Sequence, residues 1–254
     1  MDIDEKFEYL QKQVALLERS VVSFNRCITQ PIFEPTMSGR FRYDKPDDPV
    51  VFLVLKMARI VTGLYSMLNL TKSGLFEDAG AICRIILECS HDIDFVMEGL
   101  THDPFPIDKQ EFVDSFFNDE TRTPEEMLAT MRKQATIPRR KVYPSVGRLL
   151  SPDNPDRQQR TAKVLEEAFS GYVHAAYPHI MEMYEGVSKE FRMSGVEASI
   201  DSWIKQLALT IQASLNQFSI LAKSLGLQDL KNELVASVNE LEKSEIYARK
   251  TTGP

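Results

Sequence analysis

The sequence predicts an all-α fold, a multi-helix bundle of long amphipathic helices with a partly irregular middle insertion. Three observations carry the prediction. Apolar residues recur at steps of three and four through most of the 254 residues, the repeat of helices that each bury one face. No stretch alternates apolar and polar residues for long enough to build a sheet, as half-buried strands would require. Polar stretches rich in proline and glycine separate the periodic segments and read as connections.

The first helix is the most regular. Ile3, Phe7, Leu10, Val14, Leu17, Val21, Phe24 and Ile28 follow one another at alternating steps of four and three, so one apolar stripe runs along about seven turns. Pro31 and Pro35 stop it, and "EPTMSGRFRYDKPDDP" is a polar, turn-rich connection. The second helix carries Val50, Leu53, Met57, Ile60, Leu64 and Met67 on one face and ends near "TKSG". The third starts at about Leu75, where Glu77 and Asp78 complement the positive end of its dipole, and runs to Gly99. The middle, from Leu100 to Gln159, is proline-rich with short helical patches, such as Pro124 to Gln134 behind Thr123 as N-cap. Helical order returns in "RQQRTAKVLEEAFSGYVHAAYPHIMEMYEG", which Gly171 and Pro178 bend. "KEFRMSG" is an extended or irregular link, and "SIDSWIKQLALTIQASLNQFSILAKSLG" is a helix closed by Gly226. A last helix uses Leu227, Leu230, Leu234, Val238 and Leu241.

Composition narrows the class. A hydrophobic share of 43% and a charged share of 26% are those of an ordinary soluble globular protein. A net charge of −7 gives the surface as a whole no attraction for nucleic acid or an anionic membrane. The start, "MDIDEKFEYL", lacks the basic and apolar regions of a secretory signal. The most apolar stretch, Val50 to Leu70, contains Lys56 and Arg59 and reads as a core helix, so no membrane contact is expected. Cys27, Cys83 and Cys89 lack metal-ligand spacing, and an odd number without a signal points to free thiols in the cytoplasm.

The third helix holds the oddity. Within it, "RIILECSHD" places Arg84, Glu88, His91 and Asp92 in the middle of an apolar run. Arg84, Glu88, His91 and Phe95 lie on one line, about 200° from the main stripe. Two arrangements fit. The line is a wet face with a weak i,i+4 pair, or the helix is central and these groups meet partners inside the protein. The second is favoured by 14 apolar residues among the 23 from 75 to 97, since charge on a central helix needs compensation. A second cluster, "SGYVHAAYPH", brings His174 and Tyr177 to one face with Tyr172 near the bend. His174 or Tyr172 is therefore expected to approach Arg84 and Glu88, the alternative being a histidine bonded to a backbone carbonyl.

"GLFEDAGAICRIILECSHDIDFV", then "YPSVGRLL", then "SGYVHAAYPHI" resemble a widespread group of bacterial helical domains of unknown function related to the HEPN superfamily. The resemblance spans about residues 50 to 225. Arg84 and Glu88 match its Arg-x-x-x-Glu, and Ser170, Tyr172 and His174 its Ser-x-Tyr-x-His. It implies an interaction or nucleic-acid-associated module of a bacterial stress or defence system. Many HEPN proteins are metal-independent ribonucleases that carry arginine, four to six residues, then histidine. Arg84 and His91 have six residues between them, with Ile85 where a polar residue is usual. In that alternative His91 is the general acid/base on a 2′-hydroxyl and Arg84 neutralises the scissile phosphate. A purely structural helical oligomer, such as a homodimer, is a further alternative.

Glu88-x-x-His91 is half of a di-iron bundle motif, but no second Glu-x-x-His occurs in the chain. No phosphate loop, nucleophile elbow or zinc signature is present, so neither metal nor cofactor is expected. Residues 127 to 152 hold six basic side chains, Arg132, Lys133, Arg139, Arg140, Lys141 and Arg148, and no acid. They fit an RNA or other anionic contact, with Tyr143 available for stacking, or a segment docked on the protein's own acids. The organisation expected is one helical domain over 1–254. It has an N-terminal helix over 1–30, a HEPN-like core of 47–100 and 158–226, an insertion over 101–157 and a C-terminal helix over 227–248.

Overall fold

A computed structural model describes residues 1–35, 40–43, 47–117, 138–196 and 199–247. Among them the protein is all-α, with nine α-helices and two short antiparallel hairpins. In chain order these are α1 (Ile3–Asn25), β1 (Ile32–Glu34), β2 (Arg40–Arg42), α2 (Pro49–Lys72), α3 (Phe76–Gly99), α4 (Ile107–Phe117), α5 (Arg139–Leu150), α6 (Pro155–Val173), α7 (Tyr177–Ile180), β3 (Tyr184–Glu185), β4 (Glu190–Phe191), α8 (Ile200–Ser224) and α9 (Gln228–Lys243). The helical patch expected over 124–134 lies outside the described residues.

The helix ends show why the sequence folds locally as it does. At the start of α1, Asp2 and Glu5 exchange backbone N–H bonds to each other's carboxylates, both 2.8 Å, a capping box. Asp48 caps α2 by accepting from the Val50 N–H, with Pro49 in the first turn. Gly74 and Gly226, at φ +73° and +74°, close α2 and α8. In each case the two N–H groups beyond the last turn bond back to the orphan carbonyls: Leu75 to Leu70 and Gly74 to Thr71, Leu227 to Ala222 and Gly226 to Lys223. The first helix stops at Asn25, before Ile28, through i→i−3 bonds from Arg26 and Cys27 that tighten its end.

The expected bend near Gly171 and Pro178 is a complete break. Gly171 stays inside α6, and the helix ends with Ala175 at φ +49°. Ala176 donates to the Gly171 carbonyl and Ala175 to that of Tyr172, the same terminator that glycine makes elsewhere in this chain. Pro178 lies in the first turn of the next short helix. Tyr184 and Glu185, expected as the end of the helical stretch, instead form β3 and pair with β4 in the expected link, Tyr184 opposite Phe191 and Glu185 opposite Glu190.

The chain groups into two compact units. The first comprises Met1–Val22, Met57–Ser90 and the described part of Val164–Pro254. Its core takes Phe7, Leu10, Val14 and Leu17 from α1, Ile60, Leu64 and Met67 from α2, and Leu207, Ile211 and Phe218 from α8, all buried. Within it α9 packs along α8. The second comprises Ser23–Lys56 and His91–Lys163. Here Phe52 of α2, Phe95 of α3 and Phe112 and Phe116 of α4 meet edge to face, with ring centroids 5.0–5.7 Å apart. Helix α2 is long and apolar enough to cross a membrane, but 56% of its most apolar window is buried within the protein.

Candidate functional site

The first unit holds Arg84 and Glu88, on adjacent turns of α3. The Arg84 guanidinium lies 2.7 Å from Glu88 and 2.8 Å from Glu166 of α6. Arg84 keeps 14% of its side chain exposed and Glu166 8%, whereas Glu88 keeps 39%. A shielded guanidinium between two carboxylates is compensated and carries a net −1 as a group. The two helices approach because α3 offers a notch: a Cβ on Gly80 would fall 2.4 Å from the Tyr172 ring.

Tyr172 does not reach Arg84. Its hydroxyl donates to both oxygens of Glu182, at 2.9 and 3.1 Å. Burial, then the Glu182 hydrogen bond, hold that hydroxyl well above the ordinary tyrosine range. The ring lies against Phe169, His179 and Trp203, and His179 covers Gly171, where a Cβ would fall 2.2 Å from the imidazole. His174 is exposed just beyond the end of α6, and Tyr177 is 76% exposed. The side chain that α6 directs to Arg84 is thus Glu166, a correction to the expected approach of Tyr172 or His174. The physical reason is the register of α6, which puts Ala162, Glu166 and Phe169 on its buried face.

The second unit holds the other half of "RIILECSHD". His91 is 5% exposed, with its ring edge-on to Tyr143 of α5 at 5.8 Å between centroids. Asp92 takes Lys56 on one carboxylate oxygen at 2.9 Å and Arg139 on the other at 2.6 Å. One turn and a half on, Glu98 takes Lys109 of α4 at 2.6 Å and Arg148 of α5 at 2.9 Å. The Lys109 ammonium also donates to the Phe95 carbonyl and to Ser145 Oγ, and lies over the Phe95 ring. Burial lowers the Lys109 ammonium below its ordinary value, against the pull of Glu98. Burial alone would raise the Glu98 carboxyl, but hydrogen bonds from Lys109 and Arg148 outweigh it and leave the group below the usual carboxylate value.

The described part of the basic segment is therefore divided. Arg139 and Arg148 dock on acids of α3, whereas Arg140 and Lys141 are exposed and make no ion pair among the described residues. Arg132 and Lys133 lie outside the described residues.

Glu166, Lys109 and Glu98 lie outside the residues the sequence singles out, though the first two carry a signal there. Glu166 interrupts an i, i+4, i+7 apolar stripe, and Lys109 stands in line with Val113 and Phe117 as the buried face of α4. A lone charge on such a stripe marks a buried ion pair. Among the described residues no three histidine, cysteine or carboxylate side chains are placed to hold a metal ion. Comparison with protein-family models, with curated proteins and with solved structures finds no match for this chain.

Proposed function

We propose that the chain is a non-catalytic helical module of the bacterial cytoplasm, HEPN-like in kind, that associates with nucleic acid. The observation that carries the reading is the environment of the two residues a ribonuclease would use. The Arg84 guanidinium is compensated by Glu88 and Glu166, which weakens its attraction for a phosphate. His91 is 5% exposed, and a general acid/base has to come within hydrogen-bonding reach of its proton. The bacterial setting, with a role in stress or defence, rests on the motif resemblance. Cys27, Cys83 and Cys89 form no disulfide among the described residues, in accord with a reducing compartment.

The test is the purified full chain, measured by absorbance ratio and mass spectrometry for bound RNA or nucleotide, then incubated with labelled RNA in EDTA. Bound and uncut nucleic acid is the expected result. Cleavage that disappears in His91→Ala would replace this reading with the metal-independent endoribonuclease. A chain that holds no nucleic acid at low salt would leave only the structural oligomer.

A further inference from the structure

Residues 138 to 163, all within the second unit, carry seven basic side chains (Arg139, Arg140, Lys141, Arg148, Arg157, Arg160 and Lys163) against two acids, Asp153 and Asp156. Two of the seven are committed to the protein's own carboxylates, Arg139 to Asp92 and Arg148 to Glu98. Arg148 still leaves 53% of its side chain exposed. The other five are exposed and make no ion pair among the described residues.

Helix geometry groups them. At about 100° per residue, Arg140, Lys141 and Arg148 fall in one sector of α5 about 100° wide, with Pro144 among them. Gly147 lies about 20° beyond the Arg140 edge of that sector, and there α5 touches the first residue of α6: a Cβ on Gly147 would fall 2.5 Å from the Pro155 carbonyl oxygen. On α6, Arg157, Arg160 and Lys163 share a sector of about 120° opposite the buried Ala162. Asp156 and, further along, Glu167 are the carboxylates of that sector. Two basic helix faces thus lie on consecutive helices of the second unit, in a chain whose net charge is −7.

We propose that these two faces together bind the phosphate backbone of a nucleic-acid strand without reading its bases. This rests on the nucleic-acid-associated reading above and names its surface. Exposed guanidinium groups suit phosphate because they donate two parallel hydrogen bonds. The α5 face spans about 12 Å and the α6 face about 9 Å, each long enough to lie along more than one phosphate of a strand. Contacts of this kind position a strand and carry no sequence information.

The experiment is fluorescence anisotropy of the full chain with a labelled 20-nucleotide oligouridylate and a duplex DNA of equal length, each titrated with salt. For the single strand, Arg140→Ala with Lys141→Ala should reduce the slope of log affinity against log salt by about 1.4. Arg157→Ala with Arg160→Ala and Lys163→Ala should reduce it by about 2. Lysine in place of Arg157 and Arg160 should keep the slope, because it keeps the charge, so a folding defect would not imitate the result. An unchanged slope in the α6 triple variant overturns the two-helix surface and leaves the broader reading intact. Absence of wild-type binding at low salt overturns both. Displacement of the oligonucleotide by polyglutamate at equal charge would overturn it in favour of an acidic protein.

Discussion

Replacing Glu166 with alanine should destabilise the first unit by more than replacing Glu88, although both carboxylates hold the same guanidinium. Removing one partner of a buried ion pair costs about 3–5 kcal/mol, because the remaining charge stays desolvated. Arg84, 14% exposed, would keep Glu88 at 2.7 Å after Glu166 is lost, so Glu166→Ala is expected to cost about 2–3 kcal/mol, below that range. Glu88 is 39% exposed, and its loss leaves the shielded pair intact, so Glu88→Ala should cost about 1 kcal/mol or less. Arg84→Ala deprives both carboxylates of their cation and belongs at about 3–5 kcal/mol. The double change Arg84→Met with Glu166→Leu should cost well under the sum of the single changes, since neither charge is left buried alone. Urea unfolding followed by fluorescence measures this directly, because the single tryptophan, Trp203, is buried in the same unit. Circular dichroism alongside would show whether the two units melt together, which a two-state free energy requires. Equal losses for Glu88→Ala and Glu166→Ala would refute the reasoning, because burial would then not decide the cost.

Three further outcomes are expected. Leu17 is fully buried, so Leu17→Asp strands a charge in the core and should cost more than about 4 kcal/mol; a melting temperature within a few degrees of wild type would contradict this. Ala175 holds φ +49°, a conformation that costs a side-chain-bearing residue about 1–2 kcal/mol, so Ala175→Gly should raise stability by about 1 kcal/mol in urea, offset in part by added freedom in the unfolded chain. The Glu98 carboxyl titrates below the ordinary carboxylate value of 4.5 in the folded protein. Its stabilising contribution is therefore full above about pH 4.5 and is lost as pH falls through the folded value. Unfolding free energy measured from pH 6 to pH 3 should fall less steeply in Glu98→Gln than in wild type, and parallel curves would exclude the role.

Much of the helical framework is legible in the amino-acid sequence. The stripes of α2, α3 and α8 located those helices to within a residue or two, because the repeat of apolar positions is a property of the helix itself. Gly226 ended α8 as expected, since φ +74° is a local demand that glycine meets without a Cβ. Helices α4 and α5 were not placed as elements, because they lie in the proline-rich middle, where only short helical patches are legible, and Pro144 stands inside α5. Yet Val142, Ser145, Val146 and Gly147 are buried, and such packing outweighs a local helix preference. The end of α6 was misplaced for the complementary reason. Nothing in the local sequence marks Ala175 as a left-handed residue, and the contact of His179 with Gly171 forms only when the chain has already turned back.

By itself the sequence determined that this protein is built of helices, where most of their buried faces run, and that α3 carries ionisable groups into an apolar setting. Only the tertiary structure decided what those groups meet. Arg84 and Glu166 are 82 residues apart, Asp92 and Arg139 47, Glu98 and Arg148 50. Periodicity is a short-range signal with a memory of a few turns. Ion pairing across such separations depends on the rotation of each helix about its axis, which is set by the packing of many apolar side chains at once.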